Sequence, residues 1–184
     1  MKKLVGLLVC SALLFSCGND PKTAESTEAK AGTGSSAAEL KDYEFADVKF
    51  VELGKKHMAY LESGDIDGWM TEFADNAVYR WNNFDSLAGK AAIIDYWKKR
   101  RTDVIDSMSF SSDIWLPVKV NKPQAAGQLT GNYALCWYIV KAKYKTGKSM
   151  SQRIHTAIHF DANDKIDRIT QYLDRAPINS AVAK

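Results

Sequence analysis

Apolar residues recur along this chain with two periods, and the switch between them divides it. From Phe45 to Ser63 the spacing is helical, with Leu53, His57, Tyr60 and Leu61 on one face. Gly64 ends that helix, and Asp65 stands where it can cap the next. There Ile66, Trp69, Met70 and Phe73 follow at i, i+3, i+4 and i+7. DNAVYRWNNF, residues 75–84, reads as an acidic helix end running into a strand, with Tyr79 and Trp81 on one face and Val78, Arg80 and Asn82 on the other. A third helix is predicted over 90–106, burying Ile93, Tyr96 and Trp97. After Ser107 the period falls to two, over 108–120, 127–145, 149–161 and 165–174. Thr146-Gly147-Lys148 and Ala162-Asn163-Asp164 are the hairpin turns. Helices grouped on one side of a bent sheet of long antiparallel strands make an α+β domain.

The strands split into columns. In 149–161 the more apolar column is Gln152, Ile154, Thr156, Ile158 and Phe160, opposite Arg153, His155, Ala157 and His159. In 165–174 Ile169, Gln171 and Leu173 oppose Arg168, Thr170, Tyr172 and Asp174. The longest strand carries Leu135, Trp137 and Ile139 against Cys136, Tyr138 and Val140, and is apolar on both faces. Both faces should therefore be covered, one by the domain itself and the other by a partner, most simply a second copy.

The ends add a location. MKKLVGLLVCSALLFSC has two lysines, an apolar run and then small residues. This is a secretory signal pattern over 1–16, too short and too early for a membrane-spanning helix. Leu14-Phe15-Ser16-Cys17 resembles a bacterial lipobox, which implies cleavage before Cys17 and a lipid on its sulfur. Residues 18–41 hold only Leu40 as a large apolar residue and read as a disordered tether. The expected domain is 42–175, followed by a flexible tail over 176–184. The chain would thus be anchored to a bacterial membrane in the cell envelope, its domain in the periplasm or at the cell surface. Cys136 is then left without a cysteine to pair with. The formal charge is +3, of which Lys2 and Lys3 supply +2, leaving +1 and arguing against nucleic-acid binding.

Three stretches, SGDIDGWMTEFADNAVYRW, LAGKAAIIDYW and RIHTAIHFDANDKIDRITQYLDR, resemble the SnoaL-like branch of the nuclear transport factor 2-like superfamily in order and spacing. The resemblance spans about 47–175. It implies a cone: a curved antiparallel sheet wrapped around helices, with a pocket at the wide end. Members include ketosteroid isomerases, limonene epoxide hydrolases, scytalone dehydratases, polyketide cyclases and non-catalytic modules, so the fold alone does not name an activity.

The same resemblance assigns positions. The isomerases' general base falls at Trp81, their oxyanion-hole tyrosine at His57 and their protonated aspartic acid at Thr156. The epoxide hydrolases' tyrosine is matched by Tyr79, their long-strand arginine and aspartate fall at Trp137 and Ile139, and their second aspartate falls at Gln171. Of these seven positions only Tyr79 keeps the family residue. The implied pocket has Trp81, Trp137, Ile139, Ile158 and Ile169 as walls, with His57, Tyr79, Thr156 and Gln171 as polar groups. Such a pocket suits a small apolar or aromatic molecule and lacks the carboxylate of base catalysis.

Each candidate has a plainer alternative. His57 is the candidate acid–base, but a core histidine satisfied by a hydrogen bond is the simpler assignment. Trp81 and Trp137 could clamp a flat ligand or fill the cone themselves. His155 and His159 are about 13 Å apart along a strand, too far for one metal ion. Lys98-Lys99-Arg100-Arg101 reads as a solvated helix end whose cations suit the dipole. Neither a metal nor a cofactor is expected. Three functions remain: a non-catalytic binding module; an isomerase, dehydratase or cyclase using His57; and an interaction module with a self-filled cone.

Overall fold

Helix α1 (Lys49–Ser63) buries Phe50, Val51, His57, Met58 and Leu61 along one side. Gly64 stops it at φ 81°, a left-handed conformation open to glycine because no Cβ clashes there. Asp65 caps α2 (Ile66–Met70), its Oδ1 accepting the Gly68 N–H at 2.8 Å. Helix α2 is shorter than its apolar spacing predicts. Phe73 already opens β2 (Phe73–Trp81), so Asp75 and Asn76 lie in the strand and not at a helix end. After α3 (Lys90–Asp103) come β4 (Ile105–Val120), β5 (Gly131–Tyr144), β6 (Ser149–Phe160) and β7 (Ile166–Tyr172). Two short strands complete the sheet, β1 (Tyr43–Phe45) and β3 (Ser86–Ala88). These observations come from a computed structural model that describes residues 40–183. The signal segment, Cys17 and all but the end of the tether lie outside the described residues.

The seven strands form one sheet in the order β1-β4-β5-β6-β7-β2-β3. Strands β4 to β7 are an antiparallel meander, as predicted. Strand β2 instead runs parallel to β7, setting Tyr79 beside Ile169 and Trp81 beside Gln171, so the sheet is mixed. No hairpin joins β2 to β7, and nothing local forces them to be antiparallel.

A bulge between Ser111 and Ile114 adds a residue to β4, with Ser112 at φ 54°. It reverses the strand's parity. Met108 and Phe110 point inward before it, and Trp115 does so after it. Trp115 lies on Gly54 of α1, where a Cβ would overlap the indole ring.

The expected flexible tail is partly a helix, α4 (Arg175–Val182). Asp174 caps it by accepting the Ala176 N–H at 2.8 Å, and Pro177 is tolerated because it lies in the first turn. Its far end docks on the β5–β6 turn. The Thr146 hydroxyl donates to the Ala181 carbonyl at 2.6 Å, and the Lys148 ammonium donates to that of Ala183 at 2.8 Å. Small residues suggest fraying, but here a cap and a docking site outweigh that tendency.

Candidate functional site

The inside of the cone has a filled half and an open half. In the filled half, aromatic rings meet edge to face or tilted: Phe50 on Phe160 at 5.0 Å and Trp69 on Phe73 at 4.8 Å between centroids. His57 belongs to this half and is only 2% exposed. Its Nδ1 accepts the Trp69 indole N–H at 2.7 Å, and its ring packs against Phe73 at 5.6 Å. Burial pulls its pKa from 6.5 to about 3. His57 is therefore a neutral acceptor in the core, and it does not line the cavity. The side of α1 that carries it faces Trp69 of α2 and Phe73 of β2, which corrects its candidacy as the acid–base group.

The open half holds a cavity of about 150 Å³. Helix α3 contributes Tyr96, Trp97 and Arg100. The inward column of β5 supplies Tyr138, Val140, Ala142 and Tyr144. Met108 and Phe110 of β4 and Met150 and Ile154 of β6 form the side walls, and Arg175, Ile178, Asn179 and Val182 of α4 close one side. Of the residues predicted to form the pocket, Trp81 and Gln171 are there.

Tyr79, Thr156, Ile158 and Ile169 do point inward, but they are buried in the packed interior and do not line the cavity. Two of them support its floor. The Tyr79 hydroxyl donates to Gln171 Oε1 at 3.1 Å, Gln171 Nε2 donates to the Tyr138 oxygen at 3.1 Å, and Tyr138 shares a hydrogen bond with the Thr156 hydroxyl at 3.1 Å. The relay fixes the Gln171 amide and leaves each buried group with a partner. Burial pushes the phenols of Tyr79 and Tyr138 well above their usual range, so both stay protonated. The Cys136 thiol, beside them, is pushed up by burial to about 12 and is inert as a nucleophile.

Trp137 and Ile139 require a correction. They lie on the outer face of the sheet. In an antiparallel pair, partners share a face, and Cys136 pairs with buried Thr156 whereas Trp137 pairs with His155. Trp137 stacks on His155 at 4.5 Å, and His155 stacks on Tyr172 at 5.5 Å, making an external aromatic ladder. Cys136, Tyr138 and Val140 occupy the inward positions. None of these is acidic, so the corrected faces still supply no carboxylate.

The sequence-based assignment missed most of the lining, the polar residues Arg100, Tyr138, Tyr144 and Arg175 among it. Arg100 was legible. Ile93, Tyr96, Trp97 and Arg100 stand at i, i+3, i+4 and i+7, so the buried stripe of α3 carries Arg100 inward with it. Arg175 enters only because α4 folds back over the cone, and the apolar stripe of that helix, Ile178, Ala181 and Val182, covers only about one turn.

Among the described residues, no aspartate, glutamate or histidine lines the cavity. It offers apolar walls, phenol and amide hydrogen-bonding groups and two guanidinium groups. These groups can bind and orient a ligand. A general base working near neutral pH is not among them.

The sequence profile described as SnoaL-like domain matches residues 55–169. No curated protein sequence matches the chain. Solved structures do. One is a Bacillus subtilis protein whose isomerase name is itself provisional, 22% identical with TM-score 0.56, covering 72% of this chain and 91% of its own. Another is a provisionally named polyketide cyclase from Pseudomonas putida, 17% identical with TM-score 0.57, covering 72% and 96%. An LEH-like epoxide hydrolase from M. tuberculosis is 11% identical with TM-score 0.57, covering 73% and 90%. Identities this low carry the fold and not the activity: the fold is nuclear transport factor 2-like, a curved mixed sheet with few helices. With its order of elements and 55–169 matched, the chain belongs to the SnoaL-like domain family.

Proposed function

We propose that this chain is a small-molecule-binding module of the bacterial cell envelope, held to a membrane by a lipid on Cys17, that binds its ligand without converting it. One observation carries the proposal: the cavity combines apolar walls with hydrogen-bonding groups and has no acidic or imidazole side chain among the described residues. His57, the group an isomerase or cyclase reading would need, is bonded to Trp69 within the filled half.

The lipid anchor rests on Leu14-Phe15-Ser16-Cys17 and the run before it. A homodimer through the outer sheet face is part of the proposal. Ile114 and Tyr172 are 60% and 50% exposed there, beside half-buried Trp137, Ile139, Leu116 and Leu135. That much contiguous apolar surface suits a two-fold interface.

Native mass spectrometry of the full-length protein, extracted gently from the membranes of its own cells, tests all of this. The expected spectrum has a dimer mass, a lipid adduct lost in Cys17→Ala, and a discrete small-molecule mass released on denaturation. A bare chain mass would overturn the binding-module reading in favour of a self-filled cone or an enzyme that releases its product. A monomer would overturn the outer-face interface.

A further inference from the structure

The cavity is unbalanced in its charge. Arg100 and Arg175 both line it, and among the described residues no carboxylate does. Among the described residues Arg100 forms no salt bridge. Arg175 is held from outside, where its Nη2 donates to Asn83 Oδ1 at 2.9 Å and meets Asp85 Oδ2 at 3.3 Å. Among the described residues its Nε is buried without a partner, as is the indole Nε1 of Trp97, another lining residue. Unpaired buried donors are uncommon and costly. Here two of them belong to residues of one cavity.

The two arginines are held in place. The Arg175 guanidinium lies 5.6 Å from the Trp81 ring centroid, and that of Arg100 lies 5.6 Å from the Tyr96 centroid. Trp81 and Tyr96 are neighbours, their rings 5.3 Å apart, and both line the cavity. Both cations therefore stack on adjoining walls of the same space. The charge of Arg100 is felt inside, where it pulls down the Tyr144 phenol that burial otherwise raises.

Size restricts the ligand further. A space of about 150 Å³ has room for an apolar body of about one benzene ring. A planar anion matches the fork of a guanidinium better than a point charge would.

We propose that the cavity takes a small monocarboxylate, its ring-sized apolar body among Phe110, Val140, Ala142 and Ile154 and its carboxylate towards Arg100 and Arg175. The proposal rests on the binding-module reading above and adds the ligand class.

Its test is a titration of the purified full-length protein at pH 7 with phenylacetate, 2-phenylethanol and 2-phenylethylamine, three molecules of one shape and different charge. The readout is tryptophan fluorescence, because Trp81 and Trp97 line the cavity, with calorimetry alongside. Phenylacetate is expected to bind at least about tenfold more tightly than the alcohol, and the amine most weakly. In Arg100→Gln and Arg175→Gln that preference should fall towards one, while Arg100→Lys keeps part of it. Retained affinity for the alcohol reports that each variant still has its cavity. Equal binding of acid and alcohol would overturn the carboxylate inference and leave the binding module standing. An acid preference that survives both Gln variants would overturn the assignment to these arginines. If no probe binds at millimolar concentration, the cavity reading falls with it.

Discussion

The two halves of the cone share α1, β2, α3 and β6 and do opposite things. Trp97 touches both: one side meets Trp69 at 5.6 Å, edge to face, and the residue also lines the cavity. In the filled half the side chains are large and rigid, and their rings interlock. In the open half β5 presents Val140 and Ala142, and its neighbours present Met108 and Met150. Small and flexible side chains opposite a wall of aromatics leave space unfilled. The charges divide in the same way. The imidazole is where no ligand reaches, and the guanidinium groups are where one can. Family position and local environment thus disagree about which residue matters, and the environment decides what each group can do.

The largest effect should come from breaking the filled half. Trp69 is completely buried, packs on Phe73, Trp97 and His57, and donates to His57. Trp69→Ala is expected to cost about 3–5 kcal/mol, read as a lower urea midpoint. A loss under about 1 kcal/mol would mean that this half is not the packed support described here.

The next effect is a pH dependence that only the filled half should confer. The folded pKa of His57 lies below its unfolded value, near 3 against 6.5. The unfolded chain therefore takes up the proton first as the pH falls. His57 contributes stability that is fully present above pH 6.5 and is lost progressively as the pH drops from 6.5 towards 3. At pH 5 the loss is about 2 kcal/mol relative to pH 8. His57→Gln keeps an acceptor for the Trp69 indole and does not titrate. Denaturant unfolding at pH 8 and 5 should show a smaller drop in the variant than in the wild type. Parallel slopes would mean that His57 is already solvated in the folded protein.

Most of the fold was legible because its periodicities are long and its punctuation is strong. Gly64, Asp65 and the two hairpin turns fall where the sequence places them. The short strands β1 and β3 were not, because each is held by tertiary pairing and not by its own pattern, and α4 was not, because its stripe of Ile178, Ala181 and Val182 is too short to stand out. The inward faces of β2, β6 and β7 were readable, since each opposes an apolar column to a polar one. That of β5 was misassigned because both of its columns are apolar, so alternation alone could not tell inside from outside. The turn could have. Tyr144 and Lys148 bracket a three-residue loop, which pairs even positions of β5 with even positions of β6. With Thr156 inward, Tyr138 must be inward too, and Trp137 outward.

The smallest stability effect, and the sharpest contrast, should come from adding the same bulk to each half. Ala77 of β2 and Ala142 of β5 are both buried. Ala77 lies in the packed core, where Ala77→Leu has no space to enter and should cost about 1–3 kcal/mol through strain. Ala142 lines the cavity between Met108 and Met150, its partners in the adjoining strands. There the extra carbons can enter space already present, and two methionines can adjust around them. Ala142→Leu should change stability by less than about 1 kcal/mol in either direction. It should nonetheless weaken binding of a phenyl-sized ligand by at least about tenfold, because the added side chain and the ligand need the same volume. Equal costs at the two sites, with binding untouched, would mean that the open half is as full as the other and that the ligand sits elsewhere. Unequal costs with binding lost at Ala142 would tie the ligand to the cavity by a change that touches no charge, independently of the arginines.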